Sequence, residues 1–350
     1  MSSNTNPPES ARPWGRIILR GFVILVILFA AAGFLYENIS EARDRRFHPM
    51  PGQLIDVAGY KMHIDCTGQG TPVVILDSGL GNSYATWHTV QPPISNFVRV
   101  CSYDRAGVGY SDSSPRRRTS KDIAEELHTL LHNAGVPSPV VLVGHSMGGF
   151  DVRVYASLYR NEVAGMVLVD SSHPEQQRRF PQAFRDMDKG WLRELEFMEF
   201  AAPFGVPRFL GLCGNDAVIR AAECNFHSVR EMVAEWKTFN ESAAQTARTG
   251  SLADMPLAVL SHDPDGPLDP DLPADQVKPA NDAFEKMQQE LSQLSTRGTR
   301  TIAKNSSHYI QGDRPDLVIE AVRKVVEQAR QNQPSQDQPS QDQPAAEPKL

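Results

Sequence analysis

The stretch Val140-Val141-Leu142-Val143-Gly144-His145-Ser146-Met147-Gly148-Gly149-Phe150 decides how the rest of this chain is read. Its four leading apolar residues read as a buried strand, and a helix-compatible run begins after the serine. Glycines at minus two and plus two flank Ser146 in a G-x-S-x-G turn. Such a turn forces the serine backbone into a strained conformation, and side chains at the glycine positions would collide with the adjoining strand and helix. The geometry lifts the hydroxyl above a sheet and aims helix N-terminal amides at whatever binds beside it. Ser146 is therefore the candidate nucleophile.

Working outward, residues 53–66 read as a hairpin turning at Ala58-Gly59, and 72–77 and 97–103 as further β runs. Thr119 and Asp122 form a T-x-x-D helix start, after which Ile123, Leu127, Leu130 and Leu131 share one helical face. A helix is expected over 152–158 and a strand over 163–170. This alternation predicts a mostly parallel α/β sheet covered on both faces. From 171 to about 254 the strand rhythm stops, and helix formers with aromatics such as Phe180, Phe184 and Trp191 take over. That interruption predicts a helical cap over the carboxyl edge of the sheet. Trp191, Leu195 and Met198 stand at i, i+4 and i+7, the spacing of a cap core, and the aromatics suggest an apolar substrate group. The strand rhythm resumes at 256–260 and 300–303, and 317–329 closes the fold as an amphipathic helix.

The N-terminus speaks to compartment. Residues 17–36 are apolar except for Arg20, and as a helix they would span about 30 Å, the hydrocarbon thickness of a bilayer. Arg12, Arg16 and Arg20 lead the run, which favours a cytoplasmic N-terminus. Ala30 and Ala32 offer an A-x-A cleavage site, which would give a secreted protein. Apolar residues continue past it through Phe34-Leu35-Tyr36, favouring an uncleaved anchor. Both readings place the bulk of the chain outside the cytosol. The expected organisation is a disordered segment 1–15, an anchor or signal segment 16–37, a linker 38–51, a catalytic domain 52–330 and a disordered tail 331–350. The tail repeats Pro-Ser-Gln-Asp-Gln and cannot build a core.

A net charge of −7 with a lone Arg116-Arg117-Arg118 run argues against a nucleic-acid partner. The four cysteines form no C-x-x-C, and no H-E-x-x-H or other metal-ligand spacing is present, so neither a metal nor a cofactor is expected. Outside the cytosol an even cysteine count reads as two disulfides. Cys66 follows a hairpin strand and Cys101 lies in the β run 97–103, so they are expected to pair across the sheet. Cys213 and Cys224 are eleven positions apart, with Gly214 and Asn215 permitting a turn, and form the second expected pair.

A serine hydroxyl needs a base, and the base needs an orienting acid. His308 lies in a polar loop between the last predicted strand and the closing helix, which puts it at the same sheet edge as Ser146. At this point the chain resembles the α/β-hydrolase-fold serine hydrolases, of the cap-bearing esterase, lipase and C–C hydrolase branch. The resemblance covers about 52–330 and rests on three motifs. These are the elbow at 144–148, the D-R-x-G-x-G-x-S loop from Asp104 to Ser111, and Ser307-His308-Tyr309-Ile310 followed by Asp313-Arg314-Pro315. Ser307 stands where the family more often has glycine.

The resemblance implies an oxyanion hole of two backbone amides. One is that of Met147; the other is assigned to Leu80 in Ser78-Gly79-Leu80-Gly81, where the family carries a His-Gly pair. Three aspartates satisfy the chain order Ser…Asp…His: Asp170, which ends the strand after the nucleophile's, and Asp263 and Asp265, which follow the next strand, the more usual place in this fold. Asp170 is favoured, because an aspartate ending an apolar strand needs a partner.

The expected activity is cofactor-free hydrolysis of carboxylic esters, of apolar character, by a membrane-anchored extracytoplasmic domain. The alternatives are cleavage of a C–C or amide bond by the same residues, and a catalytically silent, membrane-tethered binding protein. An amino-terminal peptidase of this fold would want a cap carboxylate, for which Glu194, Glu196 and Glu199 are candidates.

Overall fold

The β runs become eight strands: β1 (Gln53–Asp56), β2 (Lys61–Thr67), β3 (Val73–Asp77), β4 (Val100–Tyr103), β5 (Val140–His145), β6 (Val163–Val169), β7 (Leu257–Ser261) and β8 (Gly298–Ile302). In the computed structural model, which describes residues 13–266 and 272–332, they form one sheet in the order β1-β2-β4-β3-β5-β6-β7-β8. β1 and β2 make the expected hairpin, β2 joins β4 antiparallel, and every other pairing is parallel. The carboxyl ends of β3 and β5 to β8 therefore share one edge, and that edge carries the site.

Helices cover both faces. α1 (Pro13–Phe47) precedes the sheet, and α2 (Ser120–Asn133) and α3 (Gly148–Leu158) lie on one face. Thr119 caps α2 as its sequence suggests, accepting a hydrogen bond from the Asp122 amide. In β3, Val73 and Ile75 pack toward α2 and α3, while Val74 and Leu76 pack on the opposite face. Burial on both sides is why these strands read as continuous apolar runs. Between β6 and β7 the chain forms α4 (Gln182–Ala201), α5 (Ala217–Glu223) and α6 (Phe226–Thr246), the helical body of the cap. α7 (Ala274–Ser292) links β7 to β8, and α8 (Pro315–Gln331) packs on the second face through Val318, Val322 and Val326.

Cys66 and Cys101 are register partners of β2 and β4 and are disulfide-bonded, as are Cys213 and Cys224 in the cap. Among the described residues α1 is the one helix long and apolar enough to cross a membrane. It also corrects an expectation, since it continues to Phe47 through most of the region 38–51 read as a linker. Glu37, Glu41 and Asp44 are spaced by four and three, which places them along one helical face. Glu37 and Asp44 meet Arg208 of the cap there, so the charges dress a docked helix. The segments 1–12 and 333–350, where disorder was expected, lie outside the described residues; 13–15 begin α1 and Gln331 ends α8.

Candidate active site

β5 delivers Ser146 and α3 begins two residues later, so the turn between them must be tight. Ser146 adopts φ +52°, a left-handed conformation that is strained for a non-glycine residue. A Cβ at Gly144 would lie 2.6 Å from the Gly148 carbonyl oxygen, and one at Gly148 would lie 2.6 Å from that of Ser78. Both flanking glycines are thus required by close backbone approach. The Ser146 amide donates to the Val169 carbonyl at 3.1 Å, tying the elbow to the end of β6.

Asp170 follows directly on β6, with φ +45° and no exposed surface. Its Oδ2 meets His308 Nδ1 at 2.6 Å. The His308 carbonyl in turn accepts a hydrogen bond from His145 Nε2 at 3.0 Å, so the residue before the nucleophile holds the loop that carries the base. Burial, with His308 close by, pushes the His145 imidazole down to about 3, keeping it a neutral donor.

The other two aspartates are placed elsewhere. Asp263 bonds Lys304 Nζ at 2.9 Å and accepts the Asn305 amide at 2.8 Å, and Asp265 bonds the same lysine at 2.7 Å. They brace the turns after β7 and β8, and the structure brings Asp170, not these, to His308.

His262 was missed by sequence reasoning. It follows β7 immediately, and both its amide, at 2.8 Å, and its Nδ1, at 3.0 Å, engage Asp170 Oδ1. Asp170 therefore sits between two imidazoles. Burial alone would raise its carboxyl; the neighbouring His262 charge and the hydrogen bonds from both histidines overcome that and hold it well below the usual carboxylate range. His262 shifts in the opposite sense: burial lowers it, but Asp170 raises it further. The available signal was position, a histidine at the strand end where the resemblance puts the acid.

The loop Ser78-Gly79-Leu80-Gly81 passes directly over the nucleophile, since a Cβ at Gly79 would lie 3.2 Å from Ser146 Cβ. Among the described residues the Leu80 and Met147 amides have no protein acceptor, which leaves both available to a ligand. The loop is clamped from beneath by Arg105, the arginine of the D-R-x-G-x-G-x-S motif. Its guanidinium donates to the carbonyls of Ser78 and Gly79, at 2.6 and 2.5 Å, and to Asp77 at 2.9 Å. Glu235 of α6 closes the cluster, bonding Arg105 Nε at 2.6 Å and accepting the Gly81 amide at 3.0 Å. All three charged groups are buried. One arginine thus joins sheet, loop and cap, and the partners are 130 residues apart, beyond any local sequence signal.

Above Ser146 and His308 lies a cavity of about 640 Å³ whose walls include Phe180, Phe184, Trp191, Trp236 and Phe239. Trp191 meets Trp236 edge to face at 4.9 Å. Of the cap carboxylates, Glu194 lines this cavity and Glu196 is paired with Lys237 at 2.9 Å. Elsewhere His173, Glu175 and Glu290 bring three ligand atoms together, but Arg179 bonds Glu290 at 2.6 Å and approaches Glu175 at 3.6 Å. Those carboxylates already have a cation.

Comparisons with known proteins agree with this architecture. A family model described as the alpha/beta hydrolase fold matches residues 71–211. YqjL of Bacillus subtilis is 26% identical over 74% of this chain and 85% of its own length. efuK of Hormonema carpetanum, whose name describes a transporter, is 31% identical over 37% of this chain, and the chain spans only 20% of that protein. Among solved structures lip1 of Acinetobacter baumannii, a lipase by name, superimposes with a TM-score of 0.62 at 19% identity, covering 85% of this chain and 97% of that one. The chain has the α/β-hydrolase fold, with a mostly parallel eight-stranded sheet and one apolar N-terminal helix of membrane-spanning length.

Proposed function

We propose that this protein is a membrane-anchored serine hydrolase that cleaves carboxylic esters with apolar acyl or alcohol groups. The observation that carries the reading is the 2.6 Å bond between buried Asp170 and His308 beside a strained serine elbow. With Nδ1–H donated to Asp170, the His308 Nε2 lone pair is the base for the Ser146 hydroxyl. Ser146 Oγ attacks the ester carbonyl, and its proton passes to His308. The tetrahedral oxyanion is held by the Leu80 and Met147 amides, each donor of this type contributing about 3–4 kcal/mol. His308 then protonates the departing alcohol. Water, deprotonated by the same imidazole, cleaves the acyl-enzyme and returns the free serine.

Two features support a domain outside the cytosol: an apolar helix led by Arg12, Arg16 and Arg20, and two disulfides of the kind that persist in oxidising compartments. The aromatic cavity supports an apolar substrate group. A fluorophosphonate probe should label the wild-type protein and not Ser146→Ala, and the variant should lose ester turnover by about 10⁴-fold or more while remaining folded. Undiminished ester hydrolysis by Ser146→Ala would overturn the assignment.

A further inference from the structure

α1 meets the cap at the end of its apolar run. Residues such as Leu19, Leu25 and Phe29 are exposed, but from Gly33 onward α1 is docked. A Cβ at Gly33 would lie 2.5 Å from the Phe204 carbonyl oxygen, and one at Gly205 would lie 2.8 Å from the Tyr36 ring. Arg208 then bonds Glu37 at 3.1 Å and Asp44 at 2.5 Å. Gly33 stands three residues before Tyr36, the end of the apolar run, which is about 4.5 Å along a helix. Residues 204–205 of the cap are therefore held at the last apolar turn of α1, where its polar part begins with Glu37.

The cap surface at this level is itself apolar. Phe200, Phe209, Leu210 and Leu212 are exposed by 73, 81, 56 and 60%. From Phe200 to Gly214 the one ionisable side chain is Arg208, and it is turned inward onto Glu37 and Asp44. A contiguous patch of this kind marks an interaction site, and aromatic residues beside the end of a membrane helix suit the interfacial layer.

We propose that the cap edge 200–212 is a second membrane contact, seated in the interfacial layer of the same bilayer that α1 crosses. The occupant of the patch is lipid, since the patch is continuous with the helix whose apolar turns it adjoins. This rests on the reading of α1 as a membrane span. The edge places the cap, and the cavity beneath it, against the lipid surface.

The test uses the full chain reconstituted in phosphatidylcholine vesicles, plain or brominated near the headgroup end of one acyl chain. Phe209→Trp and Leu212→Trp add a fluorophore at the edge, two variants guarding against misfolding of either. Leu158→Trp, at the far end of α3 and 44% exposed, is the control. The emission added at 209 or 212 should fall about two-fold or more in brominated vesicles, as for a buried interfacial side chain, and that at 158 should not. Equal emission in both lipids, from protein that stays with the vesicles in alkaline carbonate, overturns the cap contact and leaves the anchor standing. Release of the protein by carbonate overturns the anchor, and the cap contact with it.

Discussion

The ends of β6 and β7 present the same chemistry in opposite settings. At β6, Asp170 is fully buried and bonded to two histidines. At β7, Asp263 and Asp265 share an exposed lysine and hold a turn. Order along the chain admits all three as the triad acid. What separates Asp170 from the other two is its partners. Asp263 is also largely covered, but its oxygens are taken by Lys304 and the Asn305 and Asp265 amides. The donors that hold buried Asp170 are two imidazoles, one of them His308. The β7 end nevertheless contributes to the site, through His262 rather than through an acid.

The strongest way to break this comparison is to neutralise each end in turn. Asp170→Asn should lower kcat for an ester substrate by about 10⁴-fold, because the amide cannot fix the His308 tautomer. The double Asp263→Asn, Asp265→Asn variant should stay within about three-fold of wild type. If the double variant is the inactive one, the acid role belongs to the β7 end.

A middle-sized effect is expected from His262. His262→Asn removes one of two imidazoles from Asp170 and should lower kcat by about 10- to 100-fold through misplacement of the acid, with KM little changed. Restoration of wild-type kcat in this variant would show that His308 alone positions Asp170.

The same variant carries a pH signature. The His262 imidazole is raised in the folded protein, chiefly by Asp170 working against burial. A raised group stabilises the fold fully below its unfolded value of about 6.5, and that contribution is lost as pH rises through the folded value. The melting-temperature gap between wild type and His262→Asn should therefore be widest below about pH 6.5 and shrink as pH rises through the raised folded value. A gap that widens with pH would contradict the ion pair. The smallest effect belongs to Lys304→Met, which releases Asp263 and Asp265. Lys304 and Asp265 are exposed and screened, and covered Asp263 keeps the Asn305 and Asp265 amides as donors, so turnover should be unchanged and the melting temperature only slightly lowered.

What could be read from residues alone follows the range of the interactions involved. The elbow was legible because Gly144, Ser146 and Gly148 fix it within five positions, and the strands because burial on both faces leaves uninterrupted apolar runs. Asp170 was legible as an aspartate ending such a run. His262 was not, since a single histidine in a polar turn has no periodicity and its partner is 92 residues away. The region 38–51 misled for a related reason. Without Arg208 in view, Glu37, Glu41 and Asp44 look like solvated linker charges, although their spacing already fits one helical face.

The Arg105 cluster bears on how such an enzyme can be altered. Because Glu235 belongs to α6 while Arg105 and Gly81 belong to the base, the cap is not an interchangeable lid. Exchanging it for the cap of another protein of this fold that lacks a carboxylate at this point would take from the buried Arg105 guanidinium one of its two carboxylate partners. Its Nε would be left without an acceptor, with only Asp77 and the Ser78 and Gly79 carbonyls remaining, a destabilising change. The same exchange would release the Gly81 amide and slacken the loop beside Ser146, so a graft meant to change substrate preference would also damage turnover. Transplanting α6 together with the segment from Ser78 to Arg105 keeps the two halves matched, which makes that pair, rather than the cap alone, the modular unit of this molecule.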